Sequence, residues 1–332
     1  MSRLTLLLGF CVLSIVSSPS AERKTDAPEF LKAKLSQAMG PLPGKEKQPE
    51  LDVQLIEEID CGTYIRRYLR YQAEEFGYVP AYLLIPKDAL SGKRKAYGIL
   101  TLHQTHRAGN KVVVGLGNSS NDVYGVELVE RGFVCLAPPY PLLADYSPDL
   151  KALGYQSGTI KAIWDNKRGM DFLDTLPFVR HGQYAAIGHS LGGHNSLFTA
   201  AFDPRIRVIV TSCGFDSFKD YMNGNIKGWT STRYMPKLLE YGSQNPPFDF
   251  DDVLKLIAPR PLFINAPIGD SNFKWDSVDR LVASVRPAYE AAGKANDLHV
   301  EHPQCEHSFP KEIREKAYDF IEDRLAGKRA RQ

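Results

Sequence analysis

The pentapeptide Gly188-His189-Ser190-Leu191-Gly192 constrains this chain more than any other feature. It follows the apolar run Tyr184-Ala185-Ala186-Ile187, and a helical pattern, Gly193-His194-Asn195-Ser196-Leu197-Phe198-Thr199-Ala200-Ala201, begins directly after it. A short buried strand that meets a helix at a serine flanked by glycines predicts a sharp, strained turn that lifts the hydroxyl clear of the backbone. Glycines two positions either side fit such a turn, because neighbouring backbone comes too close for a Cβ. The helix aims its N-terminal amides at the place where negative charge would develop on a bound group. Ser190 is therefore the candidate nucleophile.

A chain of 332 residues holds one large domain or two small ones. Its 43% hydrophobic and 24% charged residues are those of an ordinary globular protein. The formal net charge of +2 gives no reason to expect nucleic acid as a partner. The basic tail at 328–332, with Lys328, Arg329 and Arg331, reads as a solvated terminus. Residues 1–21 read as a cleavable signal peptide. Arg3 precedes the nearly continuous apolar stretch 4–16, and Ser18-Pro19-Ser20-Ala21 supplies small residues for cleavage. The stretch is too short for a stable membrane anchor. Phe10 stands before Cys11 where a lipidation signal wants a small residue. Secretion or export to a periplasm is the expectation.

Cys61, Cys135, Cys213 and Cys305 remain after such cleavage. They form no C-x-x-C pair, which argues against a zinc or redox motif. Export permits disulfides but the spacing does not demand them. Asn118-Ser119-Ser120 is a glycosylation sequon only in a host that glycosylates.

Residues 22–50 are rich in Lys, Pro, Glu and Gln and read as a flexible lead-in. A domain is expected over 51–327. Alternating runs at 64–71 and 78–85 predict an antiparallel pair at a sheet edge. Strands are then expected at 98–102, 133–137, 184–187, 208–212, 262–266 and 298–301. Helices are expected at 124–131, 159–176, 193–202, 277–292 and 311–325. This alternation predicts an α/β fold with a mostly parallel sheet and helices on both faces. Sites in such sheets lie beyond the carboxyl ends of the strands. The stretch 214–250 breaks the alternation and is dense in aromatics, including Phe215, Phe218, Tyr221, Trp229, Tyr234, Phe248 and Phe250. It reads as an insertion with its own small core, as a cap walling a pocket, or as both.

A serine hydroxyl needs a base within hydrogen-bond reach and a third group to orient that base. His307 follows the last strand in the loop Gln304-Cys305-Glu306-His307-Ser308-Phe309-Pro310, on Ser190's side of the sheet. His302 is the alternative. His189 and His194 are too near Ser190 in sequence to serve as its base, so they read as lining or buttressing the pocket. His103 and His189, with Phe215 and Trp229, are the candidate pocket residues. The orienting acid should follow a strand, as Asp270 does after Leu262-Phe263-Ile264-Asn265-Ala266. Asp216 is its rival, and Asp276 reads as a helix N-cap before Ser277. An oxyanion site needs two aligned donors. The Leu191 amide is one. Gln104 or Thr105, in the loop after strand 98–102, supplies the other, with Thr105 preferred because it lies farther from the strand. The order Ser190, Asp270, His307 matches the Ser-acid-His order of one known scaffold.

These pieces carry a resemblance. Leu102-His103-Gln104-Thr105, Gly188-His189-Ser190-Leu191-Gly192-Gly193, Ala266-Pro267-Ile268-Gly269-Asp270-Ser271-Asn272-Phe273 and Glu306-His307-Ser308-Phe309-Pro310 are similar to motifs of the alpha/beta-hydrolase superfamily. The similarity is to its dienelactone-hydrolase-like and acetyl-esterase-like branch, over about residues 60 to 325. It implies ester hydrolysis through a covalent acyl-enzyme. Dienelactone hydrolase proper uses a cysteine where this chain has Ser190, so its substrate does not carry over.

Ser308-Phe309-Pro310-Lys311 satisfies S-x-x-K without the partner motifs that would give it meaning. There is no H-E-x-x-H, phosphate loop or G-x-G-x-x-G after a strand, so neither metal nor cofactor is expected. The expectation is an exported serine esterase with a Ser190-His307-Asp270 triad. Its substrate is a small-molecule or polysaccharide-linked ester, acyl groups on carbohydrate among them. The alternatives are a prolyl-oligopeptidase-like peptidase and a catalytically silent hydrolase-like binding domain.

Overall fold

The computed structural model describes residues 27–118 and 122–327. The signal-like segment 1–21, the tail 328–332 and Ser119 and Ser120 of the sequon lie outside the described residues. The strands are β1 (Val53–Asp60), β2 (Tyr64–Glu74), β3 (Gly77–Pro86), β4 (Ala96–Leu102), β5 (Val134–Ala137), β6 (Val179–His189), β7 (Ile206–Ser212), β8 (Leu262–Asn265) and β9 (Leu298–Glu301). They form a nine-stranded sheet in the order β1-β2-β3-β5-β4-β6-β7-β8-β9. The first three pairings, β1 with β2, β2 with β3 and β3 with β5, are antiparallel. From β5 onward every neighbouring pair is parallel. The carboxyl ends of β4, β6, β7 and β8 therefore share one edge of the sheet.

The principal helices are α1 (Pro28–Met39), α2 (Tyr124–Glu130), α3 (Gly158–Leu173), α4 (Leu191–Phe202), α5 (Phe250–Ile257), α6 (Trp275–Ala291) and α7 (Lys311–Leu325). The two-residue period of a strand sends alternate side chains to opposite faces. Ala185 and Ile187 of β6 and Val208 and Val210 of β7 join one core with Leu128 of α2 and Ile313 and Tyr318 of α7. Tyr184, Ala186 and Ile209 face the other, with Ile160 of α3 and Leu197 and Phe198 of α4. Every residue of α4 but Phe202 is buried, as expected of a helix enclosed on all sides.

The lead-in differs from its expectation. Residues 28–39 are helix α1, and Leu31, Leu35, Ala38 and Met39 are buried. Those four recur at i, i+4, i+7 and i+8, a helical stripe that the surrounding Lys, Glu and Gln dilute in composition. Pro28 opens the helix, where its missing N–H is no loss. Ser157 Oγ donates to the Met39 carbonyl at its far end, at 2.7 Å. Strand β1 was not anticipated either. Nearly all its side chains are exposed, so it carries no burial alternation.

The insertion has no separate core. Phe215, Phe218, Trp229, Met235, Phe248 and Phe250 belong to the same cluster as Leu197 and Phe198. Asp276 is not an N-cap, because α6 begins at Trp275 and places Asp276 in the first turn. Cys61, Cys135, Cys213 and Cys305 are all free thiols. Among the described residues no helix is long and apolar enough to cross a membrane.

Candidate active site

The turn between β6 and α4 puts its strain on the serine. Ser190 has φ 53° and ψ −118°, a region costly for a residue with a Cβ. Three backbone hydrogen bonds hold it there. Ser190 N–H donates to Ser212 O at 2.8 Å, and the Gly193 and His194 amides donate to Ser190 O at 2.8 and 3.2 Å. The flanking glycines answer to close approach rather than to positive φ. A Cβ on Gly188 would lie 2.2 Å from the Gly192 carbonyl, and one on Gly192 would lie 1.8 Å from Leu102 O.

His307 and Asp270 meet directly. His307 Nδ1 lies 3.0 and 2.9 Å from the two carboxylate oxygens of Asp270. The Asn272 and Phe273 amides donate to Asp270 Oδ1 at 2.8 and 3.2 Å. Burial works against the charge, but the His307 hydrogen bond and charge, with those amides, hold the Asp270 carboxyl below the usual carboxylate range. Ser190 and His307 open onto one cavity of about 350 Å³. The alternative His302 is elsewhere, with Nδ1 2.7 Å from Ala266 O and Nε2 3.1 Å from Asp279.

His189 lines the cavity with its ring centre 4.9 Å from that of His307. Burial, then the charge of His307, pushes its pKa down to about 3, so the ring stays neutral. Its Nδ1 lies 3.0 Å from Ser212 Oγ. Asn265 Nδ2 donates to that Oγ at 2.8 Å and to Ser308 O at 2.9 Å, which ties the ends of β7 and β8 to the His307 loop. Sequence reasoning passed over Ser212 and Asn265, because nothing local marks a strand-end polar residue as a tie between loops.

Leu191, Gln104 and Thr105 all line the cavity. His103, expected there, is buried behind the loop instead, because both its ring nitrogens are engaged. The Tyr140 amide donates to Nε2 at 2.9 Å, so Nδ1 carries the proton and donates to Gln104 O at 2.8 Å. Burial pushes the His103 pKa down to about 4, in keeping with that neutral tautomer. In a trans peptide the carbonyl and the following N–H point opposite ways. A Gln104 carbonyl held inward by His103 thus turns the Thr105 N–H outward. Phe215 is also no pocket residue. It stacks on Phe250 at 5.2 Å within the core. Trp229 does line the cavity, with Tyr221 and Tyr234 of the same aromatic stretch and with Asn272 and Phe273, which the sequence had not marked.

Asp216, the rival acid, serves the loop rather than the imidazole. It is buried, and its Oδ2 accepts from the Lys274 amide at 3.1 Å, one residue beyond the amides that bind Asp270. Burial first, then Asp220 and Asp249, pushes its pKa up to about 8 against the pull of Lys274. A carboxyl raised in the folded state holds its proton there while the unfolded chain releases it. Stability is therefore full below about pH 4 and is lost as pH rises through about 8. Asp216→Asn should be more stable than the parent at pH 8 by up to about 5 kcal/mol and indistinguishable at pH 4. Urea unfolding at the two pH values measures this, and a variant less stable at pH 8 contradicts it.

Cys213, Asp270 and His307 can bring three ligand atoms within 4.8 Å of one another. Two of them are already paired, and burial with the nearby Asp270 raises the Cys213 thiol well above its ordinary value. A thiol held protonated is a poor metal ligand.

Overlay on solved structures settles the architecture. A glucuronoyl esterase from Solibacter usitatus superposes with a TM-score of 0.74 at 16% identity, over 91% of this chain and 93% of that one. The fold is that of the alpha/beta-hydrolases. Further structures with this alpha/beta-hydrolase fold include a carbohydrate esterase family 15 glucuronoyl esterase from Caldicellulosiruptor kristjansonii. It has TM-score 0.66 and 18% identity, covering 92% of this chain and 87% of that one. Acetyl xylan esterase 1 from Thermoanaerobacterium sp. JW/SL YS485 has TM-score 0.55 and 16% identity, covering 88% and 92%. No family model matches the chain. In sequence, it is 26% identical to a Bacillus subtilis (strain 168) protein named as a hydrolase, YtaP, over 161 residues. It is 28% identical to carbohydrate esterase MZ0003, from an unknown prokaryotic organism, over 134 residues. These matches take in 48% and 36% of this chain, and only 52% and 29% of the relatives.

Proposed function

We propose that this chain is an exported serine hydrolase that cleaves carboxylic esters borne on carbohydrate. The observation that carries the reading is the Asp270-bound His307 facing the same cavity as a serine strained onto its elbow. With Nδ1 committed to Asp270, the neutral imidazole presents Nε2 as its basic nitrogen. Nε2 takes the Ser190 proton as Oγ attacks the ester carbonyl. The Leu191 amide, at the first position of α4, and the Thr105 or Gln104 amide stabilise the oxyanion. The tetrahedral intermediate collapses, and the departing alkoxide takes the proton from His307. Water then attacks the acyl-enzyme, giving its proton to His307, and the acid leaves as Ser190 recovers its hydrogen.

The carbohydrate part of the reading draws on the names of the relatives and on the aromatic cavity wall. Export draws on residues 1–21. A fluorophosphonate probe should modify the peptide containing Ser190, and p-nitrophenyl acetate should be turned over. Absence of both would overturn the assignment in favour of a silent domain.

A further inference from the structure

The cavity beside Ser190 contains polar atoms with no partner. Among the described residues, Trp229 Nε1 and Gln104 Oε1 are buried with no hydrogen-bond partner, and the buried His194 ring has only the Gly214 backbone to bond. The three residues are 3%, 8% and 4% exposed, and all three line this cavity. A buried orphan is costly unless something completes it, and folded proteins keep few. Two such groups and a histidine in the lining of one cavity offer partners to a ligand's polar atoms.

Their chemistry restricts the ligand. The indole N–H only donates, and the Gln104 carbonyl oxygen only accepts. Burial pushes the His194 pKa down to about 3 against the Gly214 backbone hydrogen bond, so the ring is neutral and keeps one nitrogen for a ligand. Hydroxyl groups satisfy all of these, because each both donates and accepts. An alkyl acyl chain satisfies none. A free carboxylate could not donate to Gln104, and among the described residues no Lys or Arg lines the cavity to neutralise it. The walls are ring faces. Trp229 lies 5.8 Å from Tyr221 and 5.8 Å from Tyr234, and Tyr221 lies 5.5 Å from Phe273. Such faces suit the C–H surface of a saturated ring.

We propose that the cavity holds the uncharged, hydroxyl-bearing ring of an esterified sugar, read by Trp229 Nε1, His194 and Gln104 Oε1. This rests on the esterase reading, because it places that ring at Ser190. Trp229→Phe keeps the ring face and deletes the donor, and Gln104→Met deletes the acceptor. The measured quantity is the ratio of kcat/KM on a mono-O-acetylated methyl xyloside to kcat/KM on phenyl acetate. Each variant should lower that ratio about tenfold or more, the equivalent of one lost hydrogen bond to a buried partner. Ratios within twofold of wild type in both variants would overturn the proposal.

Calorimetric titration of the same xyloside into Ser190→Ala, with and without Trp229→Phe, reads recognition apart from turnover. Binding that weakens at least tenfold with the added Trp229→Phe supports the proposal even if no ester is turned over, which would instead overturn the hydrolase assignment. No binding to Ser190→Ala, or binding indifferent to Trp229, overturns the sugar-reading role alone.

Discussion

Ser190→Ala should lower kcat on any ester substrate by about four to six orders of magnitude, with thermal stability unchanged or slightly raised. The size of the loss follows from the division of labour at the site. In the proposed mechanism no acyl-enzyme forms without Oγ, and His307 and the two proposed oxyanion amides would assist only a direct attack by water. The stability expectation follows from the backbone. Ser190 sits at φ 53°, held by hydrogen bonds from its own amide and to its own carbonyl, and its side chain makes no hydrogen bond that holds the turn. The alanine Cβ meets the strain that the serine Cβ already meets. Burst and steady-state kinetics with p-nitrophenyl acetate, beside a thermal melt, test both halves. Retention of even one-tenth of the wild-type rate would remove Ser190 from the mechanism.

Gly192→Ala should be the most damaging single methyl group in the molecule's centre. Its Cβ would lie 1.8 Å from Leu102 O and 3.0 Å from His103 O, backbone atoms at the end of β4. No side-chain rotation relieves that contact. Either α4 moves off the sheet, or the oxyanion loop after β4 moves with it. The cost is expected to be roughly 3 kcal/mol or more, at the upper end of overpacking. It should show as a melting temperature lower by about 6–12 °C, or as loss of soluble protein. Any folded fraction should also be catalytically poor, because the displaced loop carries Gln104 and Thr105. A variant that melts within 2 °C of the parent and keeps full activity would show that the approach of α4 to β4 is far looser than these distances.

Both arguments begin in one pentapeptide, and the reason it is legible is physical. Close backbone packing at a strand-helix turn admits only glycine at set offsets, so local sequence has to record it. Parallel buried strands likewise write themselves as short apolar runs, and every strand expected from residue 98 onward is present, the last with its expected bounds and the others with shifted ends. The amphipathic stripe of α1 was equally present at Leu31, Leu35, Ala38 and Met39. It was masked by a polar composition, so a tally of residue types misled where spacing would have served.

What no local pattern could supply were facts about partners distant in the chain. His103 and Phe215 have the residue types of a pocket lining. Tyr140, 37 residues from His103, and Phe250, 35 residues from Phe215, turn them into structural supports. Asp216 has the position of a catalytic acid, yet its carboxyl meets the amide of Lys274, while His307 reaches Asp270 across a different loop. Trp229 was marked as a pocket residue by its type and place, but only the folded chain leaves its N–H without a partner beside Ser190. By itself the sequence determined the layered sheet, the elbow and the residue types available for chemistry, because strand period, helix period and steric exclusion act over a few residues. Which side chains face the cavity, which brace it and which polar atoms wait for a ligand was decided by tertiary structure alone, because burial and hydrogen-bond pairing depend on neighbours that sequence distance does not reveal.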